Sequence, residues 1–308
     1  MIATLKRHAA AIAVLAGPLV ANNLALSGMS LSDTVMAGRL SRFDLAAVSV
    51  GNGIWMAYFL LGLGVLMAMS PSAAHAVGDG QPRKVGAYFR QTLWLSQALA
   101  AVLFFGVRST ADLLGPIGIE PALVPITRGY LHAISWGMPA IFAYLGLRFT
   151  SEGVGHTRPI MFIALLGLAS NVVGNYALMY GKLGLPALGA VGCGWSSAIN
   201  MYVMLAAMAW YLRSTPQVYG RYALFERFEG PNWPLLRELL WLGLPIGIGV
   251  VAEVALFSGT SVLMGTLGVD VPLKSATSAT TPMPMGRPSH SNSRSSGQFG
   301  PSKRSKSA

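Results

Sequence analysis

The chain has 308 residues, of which 53% are hydrophobic and only 11% charged, with a mean hydropathy of +0.53 and a formal net charge of +11. A water-facing surface needs about 25% charged residues, so this composition excludes a soluble enzyme, a nucleic-acid module and a disordered scaffold and specifies an integral membrane protein. One cysteine, Cys193, excludes a disulfide framework and every multi-cysteine metal site.

The gaps between charges mark the predicted spans, because only a helix or a closed barrel satisfies its backbone in lipid. In chain order they are Ala9–Ser32, Leu45–Val77, Gln91–Val107 (with Ala87, Tyr88 and Phe89 extending it upstream), Gly129–Leu147, Pro159–Gly181, Leu183–Leu212 and Leu239–Val269. The short alternating strands of an outer-membrane barrel are absent, so the expected fold is all-α. Lys6 and Arg7 precede an apolar run too long for a signal peptide, so the first span is expected to be retained. With the N-terminus cytoplasmic, eleven Lys/Arg fall in inside segments and five in outside segments, which favours that orientation.

The last 38 residues carry six basic residues, no acid, ten serines and five prolines, the composition of a disordered basic tail. An internal repeat also emerges. Leu-Ala-Gly-Pro (15–18) pairs with Leu-Gly-Leu-Pro (242–245), and Met36-Ala37-Gly38-Arg39-Leu40 pairs with Leu263-Met264-Gly265-Thr266-Leu267, all at an offset of 227. On this reading six spans form one unit and the seventh opens a second copy, which would end near residue 454, twice the offset. The pattern stops at about Asp270–Val271, so residues beyond about 271 are expected to be out of frame or foreign to the family. The expected domains are a six-helix lobe (1–213), a cytoplasmic linker (214–235), the first helix of an incomplete second lobe (236–270) and the tail (271–308).

Polar residues inside the spans are the candidate functional groups. Asp33 lies fifteen residues after Pro18, either at membrane depth or at the outer helix end. At mid-bilayer a carboxylate costs about 2.5–3.5 kcal/mol on insertion scales, so it would face the bundle, find a partner and couple an ion to conformation. Asn171 and Asn175 are four apart and share one helix face. Their carbonyl oxygens suit a hard cation, and interhelical hydrogen bonding explains them equally well. Glu253 has uncharged residues far to either side and no basic partner in any span, which marks it as functional. Pro18, Pro139 and Pro245 fall within spans and can kink them. Met56, Tyr58, Phe59, Trp136 and Phe142 either line a polyspecific cavity or pack toward lipid.

Gly17–Asn23, then Ser32-Asp33-Thr34-Val35-Met36-Ala37-Gly38-Arg39-Leu40, Leu45–Val48 and Ala76–Gly80 resemble the opening of the multidrug and toxic compound extrusion (MATE) transporters. Arg148–Gly153 with Thr157-Arg158-Pro159 resembles the loop between spans four and five, and Tyr180–Gly184 with Gly192-Cys193-Gly194 is most similar to the NorM-type branch. The resemblance runs from about residue 9 to 270. It implies the N-terminal six-helix lobe of a MATE fold plus the first helix of the second lobe, in a bacterial inner membrane. The implied activity is antiport of small cationic or amphipathic drugs against Na⁺ or H⁺, with the coupling ion in place of a cofactor and no nucleic-acid partner. Asp33, Asn171, Asn175 and Ser197 match the family's N-lobe cation site, with Asn175 standing where some relatives carry aspartate. Glu253 matches an acidic residue of a C-lobe Na⁺ site, and Pro18 a hinge of the first helix, although a fixed kink explains that proline as well. A lipid-linked precursor flippase of the wider superfamily and a non-functional fragment are the alternatives. No His-Glu-x-x-His or Gly-x-Ser-x-Gly motif points to an intramembrane enzyme.

Overall fold

A computed structural model describes residues 2–116, 118–225 and 230–266, with side chains from residue 17 onward except 19, 257–259 and 261–266. The expected tail therefore lies outside the described residues, and so does Asp270. Among the described residues the protein is helical, without a strand. The helices are α1 (Ile2–Leu40), α2 (Arg42–Leu66), α3 (Met69–Gly78), α4 (Pro82–Asp112), α5 (Val124–Ser135), α6 (Met138–Gly153), α7 (Arg158–Met179), α8 (Ala190–Ser214), the short α9 (Pro216–Tyr219) and α10 (Trp233–Thr266).

Among the described residues five helical stretches are long and apolar enough to cross a membrane: 42–78, 82–112, 158–179, 190–214 and 233–256. They correspond to five of the seven expected spans. Two of the seven are broken rather than continuous. The second divides between α2 and α3, where Pro71 cannot donate to the carbonyl of Met67 and the Ser70 N–H takes that oxygen instead at 3.2 Å. The fourth divides between α5 and α6. Pro139 leaves the Ser135 carbonyl without its helical donor, and the chain tightens through Trp136 N–H to Ala133 O (3.3 Å) and Gly137 N–H to Ile134 O (2.9 Å). Pro139 thus starts a helix instead of bending one. Pro18 and Pro245 do lie inside continuous helices, α1 and α10.

The turn between α1 and α2 is a reciprocal cap. The Ser41 hydroxyl accepts the Asp44 N–H (3.0 Å) and donates to Asp44 Oδ2 (2.7 Å). The other carboxylate oxygen, Oδ1, accepts the Ala190 N–H at 2.8 Å, so one aspartate fixes the start of both α2 and α8. Gly189, at φ +57, passes so near this carboxylate that a Cβ would stand 2.8 Å from Asp44 Oδ1.

α5, α6 and α8 pack with α2 and α4 around Tyr130, Tyr144, Phe142 and Met138, all fully buried. Phe142 is therefore core, Tyr58 is held by Thr110 Oγ1 at 2.6 Å, and Met56 and Trp136 are the exposed members of the aromatic and methionine set. α10 packs on α2 and α4, with Gly247 against the backbone of Gly64 and Gly243 against the Val65 carbonyl. Such glycine pairs let two helix backbones touch where lipid supplies no hydrophobic drive.

The segment joining α8 to α10 is clamped to α4. Gln91, buried, donates from Nε2 to the Gly230 carbonyl (3.1 Å) and accepts the Asn232 N–H on Oε1 (2.7 Å). Arg90 donates to the Ala223 carbonyl at 3.0 Å, and the Tyr88 hydroxyl to Glu238 Oε1 at 2.8 Å. On the α6 side the hydroxyls of Ser151 and Tyr219 pair at 2.7 Å. Burial pushes the Tyr219 phenol from its ordinary 10.0 up to about 12.

Candidate functional site

α1, α7 and α8 meet along one seam. α1 and α7 run parallel: Gly28 faces Leu168, Asp33 faces Asn171 and Asn175, and the Tyr180 hydroxyl donates to the Met36 carbonyl at 2.9 Å. α8 returns antiparallel, with the Ser196 hydroxyl donating to the Asn171 carbonyl at 3.3 Å.

Asp33 sits seven residues inside the end of α1, so it is neither a cap nor a free terminal carboxylate. Its Oδ1 accepts Nδ2 of Asn175 at 2.6 Å and Nδ2 of Asn171 at 3.1 Å. The i, i+4 spacing on α7 is what lets both amides reach one oxygen. Asn175 Nδ2 also stands 3.4 Å from Asn171 Oδ1. Asn175 is fully buried, and its own carbonyl oxygen has no hydrogen-bond partner among the described residues. Leaving such an oxygen unsatisfied costs about 1–3 kcal/mol.

Ser197 is buried one residue from Ser196 and reaches the carboxylate indirectly, because the Cys193 thiol interacts with both Asp33 and Ser197. Cys193 and Ser197 are one helical turn apart, a spacing visible in the sequence, yet nothing in the sequence points that face at α1. Among the described residues no three His, Cys, Asp or Glu side chains gather into a metal cluster. An ion at Asp33 would accordingly be held by carboxylate and amide oxygens, and the unpaired Asn175 oxygen fits that donor set. Rotating either amide about its last bond would turn oxygen instead of nitrogen toward the carboxylate.

Glu253 is not part of this group. It is exposed on α10, the helix that packs on α2 and α4, with no hydrogen-bond or ion-pair partner among the described residues. Pro18 lies on α1, fifteen residues before Asp33 and four before the buried Asn22. A second polar group joins α4 to α5. Asp112 pairs with Arg128 at 2.7 Å and lies 3.6 Å from His132 Nε2, while Arg108 reaches His132 Nδ1 at 3.3 Å. It borders an open groove of about 640 Å³ lined by Ile119, Pro121 and Val124.

The MatE family profile matches residues 18–177. The chain is 37% identical over 265 residues to the probable multidrug resistance protein NorM of Mannheimia succiniciproducens, covering 86% of this chain and 57% of that protein. It is 39% identical to the NorM of Xanthomonas axonopodis pv. citri over 83% of this chain and 56% of the relative. To the multidrug resistance protein MdtK of Yersinia pestis it is 36% identical, over 85% and 57%. The chain thus spans a little over half the length of these relatives. Among solved structures, the eukaryotic MATE transporter AtDTX14 superposes with a TM-score of 0.75 at 16% identity, covering 85% of this chain and 57% of that one. A MOP superfamily transporter from Pyrococcus furiosus superposes at 0.73 with 22% identity, over 82% and 55%. These likenesses show the fold.

Proposed function

The chain belongs to the MatE family, and on that footing we propose that it is the ion-coupling portion of a secondary antiporter. It exports small cationic or amphipathic compounds across the bacterial inner membrane in exchange for Na⁺ or H⁺, with its N-terminus in the cytoplasm and no enzymatic step. The eleven-to-five distribution of Lys and Arg supports the orientation. One observation carries the coupling: an aspartate inside a membrane helix, held by two amides of another helix through a single oxygen.

Those two hydrogen bonds are charge-assisted and link α1 to α7. A proton arriving on Asp33 weakens both at once. A Na⁺ ion supplies positive charge and takes oxygen ligands, so the amides of Asn171 and Asn175 would present oxygen to it in place of nitrogen. Either event changes what α1 holds, and Pro18 gives α1 a point with one helical hydrogen bond fewer at which to respond. Ser197 acts through Cys193 on the same carboxylate. Glu253 is the acid of a second ion site on α10, with ligands other than the described side chains.

The test is efflux of a fluorescent organic cation from vesicles holding the full chain, alongside Na⁺ and proton binding to the purified protein. Efflux driven by an imposed Na⁺ or H⁺ gradient, with ion binding abolished by Asp33→Asn, is expected. Wild-type ion binding in Asp33→Asn would sink the proposal.

A further inference from the structure

Below the Asp33 site the polar lining of the seam continues. On α1, Asn22, Met29 and Asp33 fall on one face at intervals of seven and four. On α8, Cys193, Ser197, Asn200 and Met204 share a face at intervals of four, three and four, and on α7 Gly167, Asn171 and Asn175 at intervals of four. Asn200 is 4% exposed and Asn22 fully buried, yet the carbonyl oxygen of each has no hydrogen-bond partner among the described residues. Among the described residues the nitrogen of Asn200 has only thioethers, Met29 Sδ at 3.7 Å and Met204 Sδ at 4.0 Å, and that of Asn22 only its neighbour's Asn23 Oδ1 at 3.4 Å. Exchanging O and N in either amide still leaves one end of Asn200 without an oxygen or nitrogen partner. Nearly every buried polar group in a folded protein is satisfied by protein or by water.

Space at this level is shaped by soft groups. Met29 and Met204 crowd Gly167, where a Cβ would stand 2.8 Å from Met29 Cε and 2.9 Å from Met204 Sδ. Unbranched thioethers swing aside more readily than any other apolar side chain. One turn further from Asp33 the buried residues on α1 and α7 are Ala25, Ile163 and Ala164, with Ile160 fully buried one turn beyond. Asn22 follows, about 16 Å from Asp33 along α1 at about 1.5 Å per residue. Just beyond it, Pro18 removes a helical donor.

We propose that the α1–α7–α8 seam is hydrated. Ordered water molecules bind the amides of Asn200 and Asn22, on the side of the Asp33 site that faces the end of the bundle at which α7 begins. This rests on the reading of Asp33 as the ion site only for its purpose, which is to solvate an ion that enters or leaves the carboxylate from that end. The water sites themselves stand on the unsatisfied amides.

Hydroxyl-radical footprinting of the full chain in lipid nanodiscs, in Na⁺-free buffer, tests it, because radicals made from bound water oxidise the nearest methionine sulfur. Met204 is 2% exposed, and Met69 and Met138, both 0% exposed, serve as dry internal references. Met204 is expected to oxidise severalfold faster than both, and Asn200→Leu to bring it down to their rate while leaving theirs unchanged. Met204 as protected as Met138 in the unmodified protein would overturn the proposal, a comparison that needs no variant to fold. So would an Asn200→Leu protein that folds and keeps fast Met204 oxidation. Since the readout uses no cation, an Asp33 that binds no ion leaves the hydrated seam standing, and a dry seam leaves the ion site standing.

Discussion

Asp33 and Asp44 are eleven residues apart and solve the problem of a carboxylate near lipid in different ways. Asp33 is satisfied across a helix interface by two amides, so its bonds break if α1 moves relative to α7. Asn175→Leu removes the shorter of these bonds and should lower stability by about 1.5–3 kcal/mol, the range for a hydrogen bond to a charged group; thermal unfolding in detergent measures it. Asn175→Asp instead places a second carboxylate beside the first. Two adjacent carboxylates repel unless a cation or proton sits between them, so that variant should gain a stabilisation by added Na⁺ larger than the unmodified protein shows. Asp44 is satisfied locally, by Ser41 and by the first N–H of α8. Asp44→Ala should cost about 0.5–2 kcal/mol, the usual worth of a lost cap. The i, i+4 asparagines are readable in the sequence because helical spacing fixes which side chains share a face, and Asp33 is readable as an acid at one end of an apolar run. That they share a carboxylate, and that Cys193 lies between it and Ser197, depends on how helices pair, which spacing within one helix does not encode.

The broken spans show how far apolar runs alone can be trusted at the level of elements. Charge gaps located the apolar middles of α4, α7, α8 and α10, because few charges enter the hydrocarbon; α4 extends past its gap at both ends, and α8 starts seven residues after Leu183. They could not register the breaks after Leu66 and Ser135, since Met67, Ala68, Trp136 and Gly137 are as apolar as their neighbours. Pro71 and Pro139, each in the first turn after a break, are the signals that mark the new helix starts. The sequence marks the connection between α8 and α10 only as a linker, and its polar composition conceals a docked structure. Gln91→Leu removes both of its contacts to the 230–232 backbone. Limited proteolysis should then cut between α9 and α10 faster than in the unmodified protein, while sites in α7 and α8 stay protected. Tyr219 gives this segment a pH limit. Its phenol titrates near 10.0 when unfolded and near 12 when folded, so the neutral form favours the folded state. The stability it contributes is complete below pH 10 and is lost as pH rises toward about 12. Tyrosinate absorbance during an alkaline titration should show one fewer late-ionising phenol in Tyr219→Phe than in the unmodified protein.

Across the whole molecule the described helices divide their labour. α1, α7 and α8 hold the polar seam, while α2, α4 and α10 join through glycine contacts and the clamped connection. Of the five described apolar stretches α10 is the least covered, with Trp241, Ile248 and Leu256 each about 70% exposed on a helix that also displays Glu253. Its attachment explains how it keeps a defined position with so little burial. Gln91 engages one carbonyl and one amide of the approaching backbone, much as a neighbouring β-strand would, and Tyr88 holds Glu238 two turns away. A chain gripped by its main-chain atoms just ahead of a helix has no slack to absorb strain. When α4 tilts, the base of α10 must swing with it, so the joint acts as a crank and not as a leash.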